Sequence, residues 1–279
     1  MNSKSSQFFY PASTGELWAD WVRQRDASLF SGSAAWLQKQ TGRLFGVCGN
    51  IILLDNIEEL KKITRTERYL EMGAMVTLNK ISTLGKIVPE ALTLSLKSTA
   101  TPLLRNISTL GSSVCRPSTP EPVVASLVAL DSRYELRTFA QSRWVTAAQF
   151  STLNSGSMLQ PQECLTRIRI PLDTWDYTLC RDFSAKESGD NGIEFAVFLA
   201  RIQKDILADV RLIFSGTTIL RDKNSELTLI GSRLPLDKKT CDSFVHVWED
   251  HLSATEGRTE FQKAKLLNFI EQAILYFAY

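Results

Sequence analysis

Histidine is scarce in this chain: of 279 residues only His246 and His251 are histidine. They lie five apart in a stretch that reads as helix, which turns them about 140° from each other and prevents them from sharing a metal ion. Cys-x-x-Cys is missing too. The five cysteines, Cys48, Cys115, Cys164, Cys180 and Cys241, are scattered, so no iron–sulfur cluster or structural zinc can be built from this chain alone. Their odd number and wide spacing point to free thiols packed as small hydrophobes. Neither G-x-x-x-x-G-K nor G-x-G-x-x-G occurs, which removes the P-loop and the dinucleotide fingerprint. No apolar run reaches the roughly 18 residues that a membrane helix needs. The opening "MNSKSSQFFYPAS" has no apolar core of signal-peptide type, so a cytoplasmic location is expected. Net charge is +2, from 32 basic and 30 acidic residues mixed along the chain, which leaves no electrostatic footprint for nucleic acid or an anionic membrane. With two histidines and no nucleophile motif, acid–base hydrolysis lacks its residues.

What is present is ordinary globular material, 44% hydrophobic and 22% charged. The length predicts one large domain or two of common size. "STGELWADWVRQRDA" carries the capping pair Ser13 and Glu16, with Leu17, Trp18, Trp21 and Val22 on one helical face. "SLFSG" reads as a strand running into a turn at Gly32, followed by a turn or two of helix in "AAWLQKQ". "NIILLDNIEELKKI" is a buried strand and a short helical turn, and "RYLEMGAMVTL" a strand broken at Gly73. "SLVALD" reads as a helix end and "YELRTFAQSRWVTAAQF" as a hairpin. "ECLTRIRIPL" sets Leu165, Ile168 and Ile170 against Thr166, Arg167 and Arg169. Beyond Leu172 come three strands, "DYTLCRDF", "GIEFAVFLARIQ" and "ADVRLIFSGTT", separated by polar turns at "SAKESGDNG" and "KD". The helices "CDSFVHVWEDHL" and "EFQKAKLLNFIEQAILYF" close the chain, the latter striped by Leu267, Ile270, Ile274 and Phe277. Strands mixed with short helices make the fold class α+β, with a first domain over 1–171, itself split near 55–60, and a second over 172–279.

Two turns are candidates for chemistry. In "LFSGSAAWL" a strand turns through Gly32 into a helix start, where backbone N–H groups can converge on an anion. In "LLRNISTLGSSVCRPSTPEP" a loop carries the Ser108 and Thr109 hydroxyls, Gly111, and Arg105, a partner for phosphate or carboxylate. The residues alone leave two readings open, an anion site or plain polar turns. Trp36, Trp144 and Trp175 are aromatic candidates for a cofactor or partner surface, or for packing.

The order of these pieces resembles the FAD-binding (medium) subunit of the molybdenum hydroxylases, the group containing xanthine dehydrogenase and carbon monoxide dehydrogenase. "FFYPASTGELWADW" is similar to its opening strand and helix, and "LLDNIEELKKI" and "LEMGAMVTL" to its following segments. "LLRNISTLG" resembles its I-R-N-x-G-T-L-G loop, "LTRIRIP" its strand ending in proline, and "ADVRLIFSGTT" a strand of its C-terminal domain. The resemblance implies a two-part FAD-binding domain followed by a small α+β domain. It implies a flavin-binding subunit that passes electrons from iron–sulfur clusters through FAD to an acceptor, with iron–sulfur and molybdopterin held by partner subunits. A flavin-free scaffold of the same kind of complex is the alternative.

The same resemblance assigns FAD to two turns. The first, A-G-G-T-D-L in the family, stands here as Ser31, Gly32, Ser33, Ala34, Ala35 and Trp36, after Phe30. The second, G-T-L-G-G-N, stands as Ser108, Thr109, Leu110, Gly111, Ser112 and Ser113, with Arg105 upstream and Leu165 on a later strand. The family's next acidic residue falls at Pro122, beside Glu121, and its lysine near Tyr177 or Thr178. Two lost glycines and a lost amide are costly. If Ser33 or Ser112 is forced into a left-handed backbone, each adds about 1–2 kcal/mol. A missing hydrogen bond adds about 1 kcal/mol. The expectation is FAD affinity weakened from the nanomolar to the micromolar range.

Overall fold

A computed structural model of the chain describes residues 7–31, 49–116, 120–152, 158–183, 195–216, 218–254 and 260–278. They fall into two compact units, Met1–Leu172 and Asp173–Tyr279.

The first unit opens with a small parallel sheet. β1 (Phe8–Phe9) and β2 (Ser28–Phe30) flank β3 (Ile51–Leu53), both parallel to it, in the order β1-β3-β2. The crossover from β1 to β2 carries α1 (Thr14–Arg23), and its start follows the sequence signal. Ser13 Oγ accepts the Glu16 N–H at 3.2 Å, and the Glu16 carboxylate reaches back to the Ala12 N–H at 2.8 Å. Leu17, Trp18 and Trp21 bury the helix against Ile52, Leu54, Ile57 and Leu60, with the two indoles stacked at 5.7 Å. Val22, expected on that face, is 46% exposed, because the buried stripe is only one residue wide there.

The rest of this unit is a five-stranded antiparallel sheet with helices. Its strands are β4 (Ile63–Arg65), β5 (Tyr69–Gly73), β6 (Arg133–Arg137), β7 (Ser142–Thr146) and β8 (Cys164–Pro171), in the order β4-β5-β8-β6-β7. One face presents Leu70, Met72, Tyr134, Leu136, Ile168 and Ile170, all fully buried. The other carries ion pairs: Arg169 Nε lies 2.6 Å from Glu71, and Arg167 lies 3.3 Å from Glu71 and 3.4 Å from Glu135. Strict alternation cannot put Leu165 and Ile168 on one face, since they differ in parity. A bulge resolves this: Glu135 pairs with Arg167 but Leu136 with Leu165, so Thr166 is the extra residue.

Five short helices follow β5 or precede β6: α2 (Leu78–Ser82), α3 (Glu90–Thr99), α4 (Pro102–Ile107), α5 (Leu110–Val114) and α6 (Pro122–Ala129); α7 (Ala147–Thr152) follows β7. α6 is buried along its whole length. Ser126 Oγ donates to the Ala91 carbonyl at 2.9 Å and the Val123 N–H donates to Thr99 Oγ1 at 3.0 Å, fastening α6 to α3.

The second unit is an antiparallel sheet, β12-β11-β10-β9, built from β9 (Tyr177–Asp182), β10 (Phe195–Gln203), β11 (Ile206–Ser215) and β12 (Ile219–Arg221), with α8 (Lys223–Leu229), α9 (Lys238–Ala254) and α10 (Glu260–Leu275). The "KD" turn joins β10 to β11 with Lys204 at φ 50° and Asp205 at φ 60°. Two positive φ values in a two-residue loop match the right-handed strand twist. Ala196, Phe198, Ala200, Val210, Leu212 and Phe214 pack against Phe244, Trp248 and Leu252 of α9 and Leu266, Phe269, Ile270, Ala273 and Ile274 of α10. Leu267, expected in that stripe, sits at its margin. Within this core Glu226 meets Arg221 at 3.0 Å and accepts the Leu212 N–H, while burial raises its carboxyl pKa.

The edge hairpin is held by Arg143, whose Nε and terminal nitrogen reach Glu163 at 2.7 and 2.8 Å while also donating to the Met158 carbonyl. The Glu163 side chain is 2% exposed, and the Arg143 hydrogen bond holds its carboxyl below the ordinary carboxylate range. A depressed folded-state pKa gives stability that is present above the unfolded value and lost as pH falls through the folded one. Arg143→Ala is expected to cost about 2–3 kcal/mol at neutral pH, less than a fully buried pair because the arginine is partly solvated. Urea melts of both proteins should show that gap closing at acid pH.

Candidate functional site

The first turn leaves the carboxyl end of β2. Phe30 ends the strand, its carbonyl accepting the Leu54 N–H at 3.1 Å, and Ser31 follows. In parallel sheets the crevice beyond the carboxyl ends of the strands is where ligands bind. Gly32, Ser33, Ala34, Ala35 and Trp36, with the helical turn expected after them, lie outside the described residues.

The second candidate is not a loop. "LLRNISTLGSSV" folds as α4 and α5, joined by Ser108 and Thr109. Thr101 caps α4, with proline at its first turn; Thr109 caps α5. The cap on α5 is reciprocal: the Ser112 N–H donates to Thr109 Oγ1 at 3.1 Å, and the Thr109 N–H donates to Ser112 Oγ at 3.0 Å. Ser112 Oγ also donates to the Thr109 carbonyl at 2.8 Å. Ser112 is therefore a right-handed helical residue, and the left-handed strain expected there does not arise.

The remaining amides of the turn are also committed. Leu110 N–H donates to the Val76 carbonyl at 2.9 Å, Gly111 N–H to the Ala74 carbonyl at 2.8 Å, and Ser113 N–H to the Thr109 carbonyl at 3.1 Å. Ser108 N–H closes α4 on Leu104, and Thr77 bridges to Thr109 across the gap. Gly111 is glycine for packing: a β-carbon there would lie 2.8 Å from Ala74 O and 2.9 Å from Ala74 Cβ. Gly73 is more constrained still, since its β-carbon would lie 2.0 Å from Leu60 O. Sequence reasoning had missed Gly73, Ala74 and Thr77 as the seat of this turn; the small-residue pair in "LEMGAMVTL" was the signal.

Leu165 is buried on the central strand β8 opposite Leu136. It is tied to the second turn through Ala74, whose N–H donates to the neighbouring Thr166 carbonyl at 3.0 Å. Behind the turn the interior is apolar. Burial pushes the Cys115 thiol up to about 12 and raises Cys164 and the Tyr134 hydroxyl as well. Arg105 makes no ion pair with a described residue, and its Nε is enclosed without a hydrogen-bond partner. Ser113 Oγ and Glu121 Oε2 are enclosed and unpartnered in the same way, while Glu121 Oε1 meets Arg116 at 2.5 Å. Trp144 lies beneath Arg169 at 4.3 Å and Trp175 beneath Arg211 at 4.6 Å, which makes both of them platforms for arginine. Tyr177 stacks on Tyr276 at 4.3 Å.

A cavity of about 300 Å³ opens in the same unit, lined by Thr14, Lys62, Glu71, Glu135 and Arg167 and also by Gly73 and Thr166, which flank the seat of the second turn. None of the residues expected to hold FAD lines it, and much of its charge is spent on the sheet's ion pairs. Among the described residues no group of three His, Cys, Asp or Glu is placed to hold a metal ion, and no helix is long and apolar enough to cross a membrane.

A small parallel sheet followed by a five-stranded antiparallel sheet, with a separate α+β unit after it, is an architecture shared with chains of quinoline 2-oxidoreductase and of carbon monoxide dehydrogenase. A chain of quinoline 2-oxidoreductase from Pseudomonas putida 86 superposes with a TM-score of 0.81 at 21% identity, covering 100% of this chain and 98% of that one. A chain of carbon monoxide dehydrogenase from Hydrogenophaga pseudoflava gives 0.80 at 20% identity, with coverage of 100% and 98%. Reconstituted CO dehydrogenase from Oligotropha carboxidovorans gives 0.81 at 19%, with 100% and 99%. No curated protein matches the chain significantly in sequence. Residues 4–173 match the family described as the FAD binding domain in molybdopterin dehydrogenase, and the chain belongs to that family.

FAD is the cofactor of such a domain. The second turn does not fit its pyrophosphate as an amide cradle, because all five N–H groups from Thr109 to Ser113 are donated inside the protein.

Substitution separates packing from binding at this turn. Gly111→Val forces a side chain into Ala74 and is expected to destabilise the unit by about 1–3 kcal/mol or more. Thermal melts without any ligand should register the loss.

Proposed function

We propose that this chain is the flavin-binding, electron-transferring subunit of a molybdenum-containing hydroxylase or dehydrogenase complex. The observation that carries the reading is the place of the first turn, which leaves β2 at the carboxyl end of a parallel sheet in a domain of the FAD-binding family. FAD would rest on Phe30 to Trp36, with Arg105 supplying positive charge and Ser108 a hydroxyl at the margin. When bound, the flavin supplies the redox chemistry; the protein's share is to hold and orient it and to set its electrostatics. The iron–sulfur and molybdopterin groups would belong to partner subunits, within a cytoplasmic complex whose substrate is chosen in another chain. The two units of the fold would act as the FAD-binding domain and the C-terminal domain of that subunit.

A second reading has a specific observation in its favour. The closed second turn suits a flavin-free scaffold that keeps the fold to hold the other subunits together.

The two readings part on a titration of the purified protein with FAD, followed by absorbance and flavin fluorescence. Saturable uptake in the micromolar range, as the spent donors of the second turn imply, supports the electron-transfer subunit. A colourless protein that ignores added FAD, yet purifies with iron–sulfur and molybdopterin subunits, is the scaffold.

A further inference from the structure

We propose that the cavity on the polar face of the five-stranded sheet is a second binding site, for a small hydroxylated molecule that carries a phosphate monoester. None of the residues assigned to FAD lines it, and the site stands whether or not the chain takes up a flavin.

Two local devices make the cavity. Gly73 has no β-carbon, so the Leu60 backbone lies directly over it, and the helical turn Glu58–Lys61 walls the cavity with Glu59 and Leu60. The bulge at Thr166 turns its hydroxyl to the polar face, where it donates to Glu135 Oε2 at 2.8 Å, and both residues line the cavity. Leu60, Gly73 and Thr166 are buried, while Lys62, Arg137 and Arg167 stand exposed around them. The result is a buried base under a charged rim, about 300 Å³ in volume, which suits a small molecule.

The charge of the lining divides into a spent and an unspent part. Glu71 is held by Arg169 at 2.6 Å and Arg167 at 3.3 Å, and Glu135 by Arg167 at 3.4 Å and by the Thr166 hydroxyl. These groups neutralise one another. The Lys62 and Arg137 side chains, by contrast, make no hydrogen bond or ion pair with a described residue. Glu59 and the Thr14 and Thr64 hydroxyls are equally uncommitted. Two unpaired cations at one cavity match a group of charge near −2, which a phosphate monoester carries at neutral pH. The arginine offers a planar fork for two phosphate oxygens and the lysine a point charge. Glu59 and the two threonines then supply an acceptor and donors for hydroxyl groups on the rest of the ligand.

Calorimetric titration of the full chain with inorganic phosphate, glycerol phosphate and succinate, at constant ionic strength, tests the proposal. Saturable one-to-one binding is expected, tightest for glycerol phosphate. It should weaken about tenfold in Lys62→Gln and in Arg137→Gln, and be kept in Lys62→Arg. Arg65→Gln, which removes an exposed cation of β4 outside the cavity, should leave it unchanged. Equal weakening by Arg65→Gln marks diffuse attraction to surface charge and overturns the site. So do a preference for succinate, the absence of saturable binding, and displacement of phosphate by FAD, which makes the cavity part of the flavin's own site. Urea melts of the Lys62 and Arg137 variants should match the parent. An early melt shows those cations committed within the fold and overturns the reading too.

Discussion

Ala74 is the hinge of the FAD-type unit. Its amide donates to the Thr166 carbonyl on β8, and its carbonyl accepts the Gly111 amide from α5. One residue thus fastens the second turn to the central strand of the five-stranded sheet. The approach is close enough that no β-carbon fits at Gly111, and none fits one residue before Ala74, where Gly73 meets the Leu60 backbone. Glycine is kept at both positions by close backbone contact, and neither residue has a positive φ.

That docking sets the chemistry of the turn. An anion cradle needs N–H groups with nothing to donate to. Here backbone carbonyls on Ala74 and Val76 take two of them, the α5 helix takes a third, and the Thr109–Ser112 cap takes the other two. The arrangement is favourable in the absence of ligand, since every buried amide is satisfied. Arg105, with its buried and unpartnered Nε, stands four residues before Thr109 in sequence.

The sequence made the regular elements legible where a local rule decides them. The Ser13 and Glu16 cap predicted α1, the Lys204–Asp205 pair a turn between strands, and alternation the buried face of β8 from Arg167 to Ile170. It failed where geometry between distant segments decides. The bulge at Thr166 is invisible in a period-two pattern until strand β6 is paired with it. "NISTLGSS" reads as a phosphate loop because serine, threonine and glycine serve loops and helix caps alike. Its true state depends on Ala74 and Val76, some 35 residues earlier by the numbering. Gly111 looked like a ligand glycine for the same reason: nothing local shows that another backbone lies against it. The helices Leu78–Ser82 and Glu90–Thr99 escape the sequence pattern because the first is only five residues long and the second sets Leu92, Leu94 and Leu96 two apart, at a strand-like period; packing against neighbouring helices stabilises them.

The second turn is closed by packing and capping, and in the function proposed above flavin contacts fall on the first turn. Backbone amide chemical shifts, followed by NMR while FAD is added, test it most directly. The account predicts that amides following Phe30 shift with added FAD while those from Thr109 to Ser113 hold their positions. Large shifts at Thr109, Gly111 and Ser112, with the first turn unmoved, would contradict it.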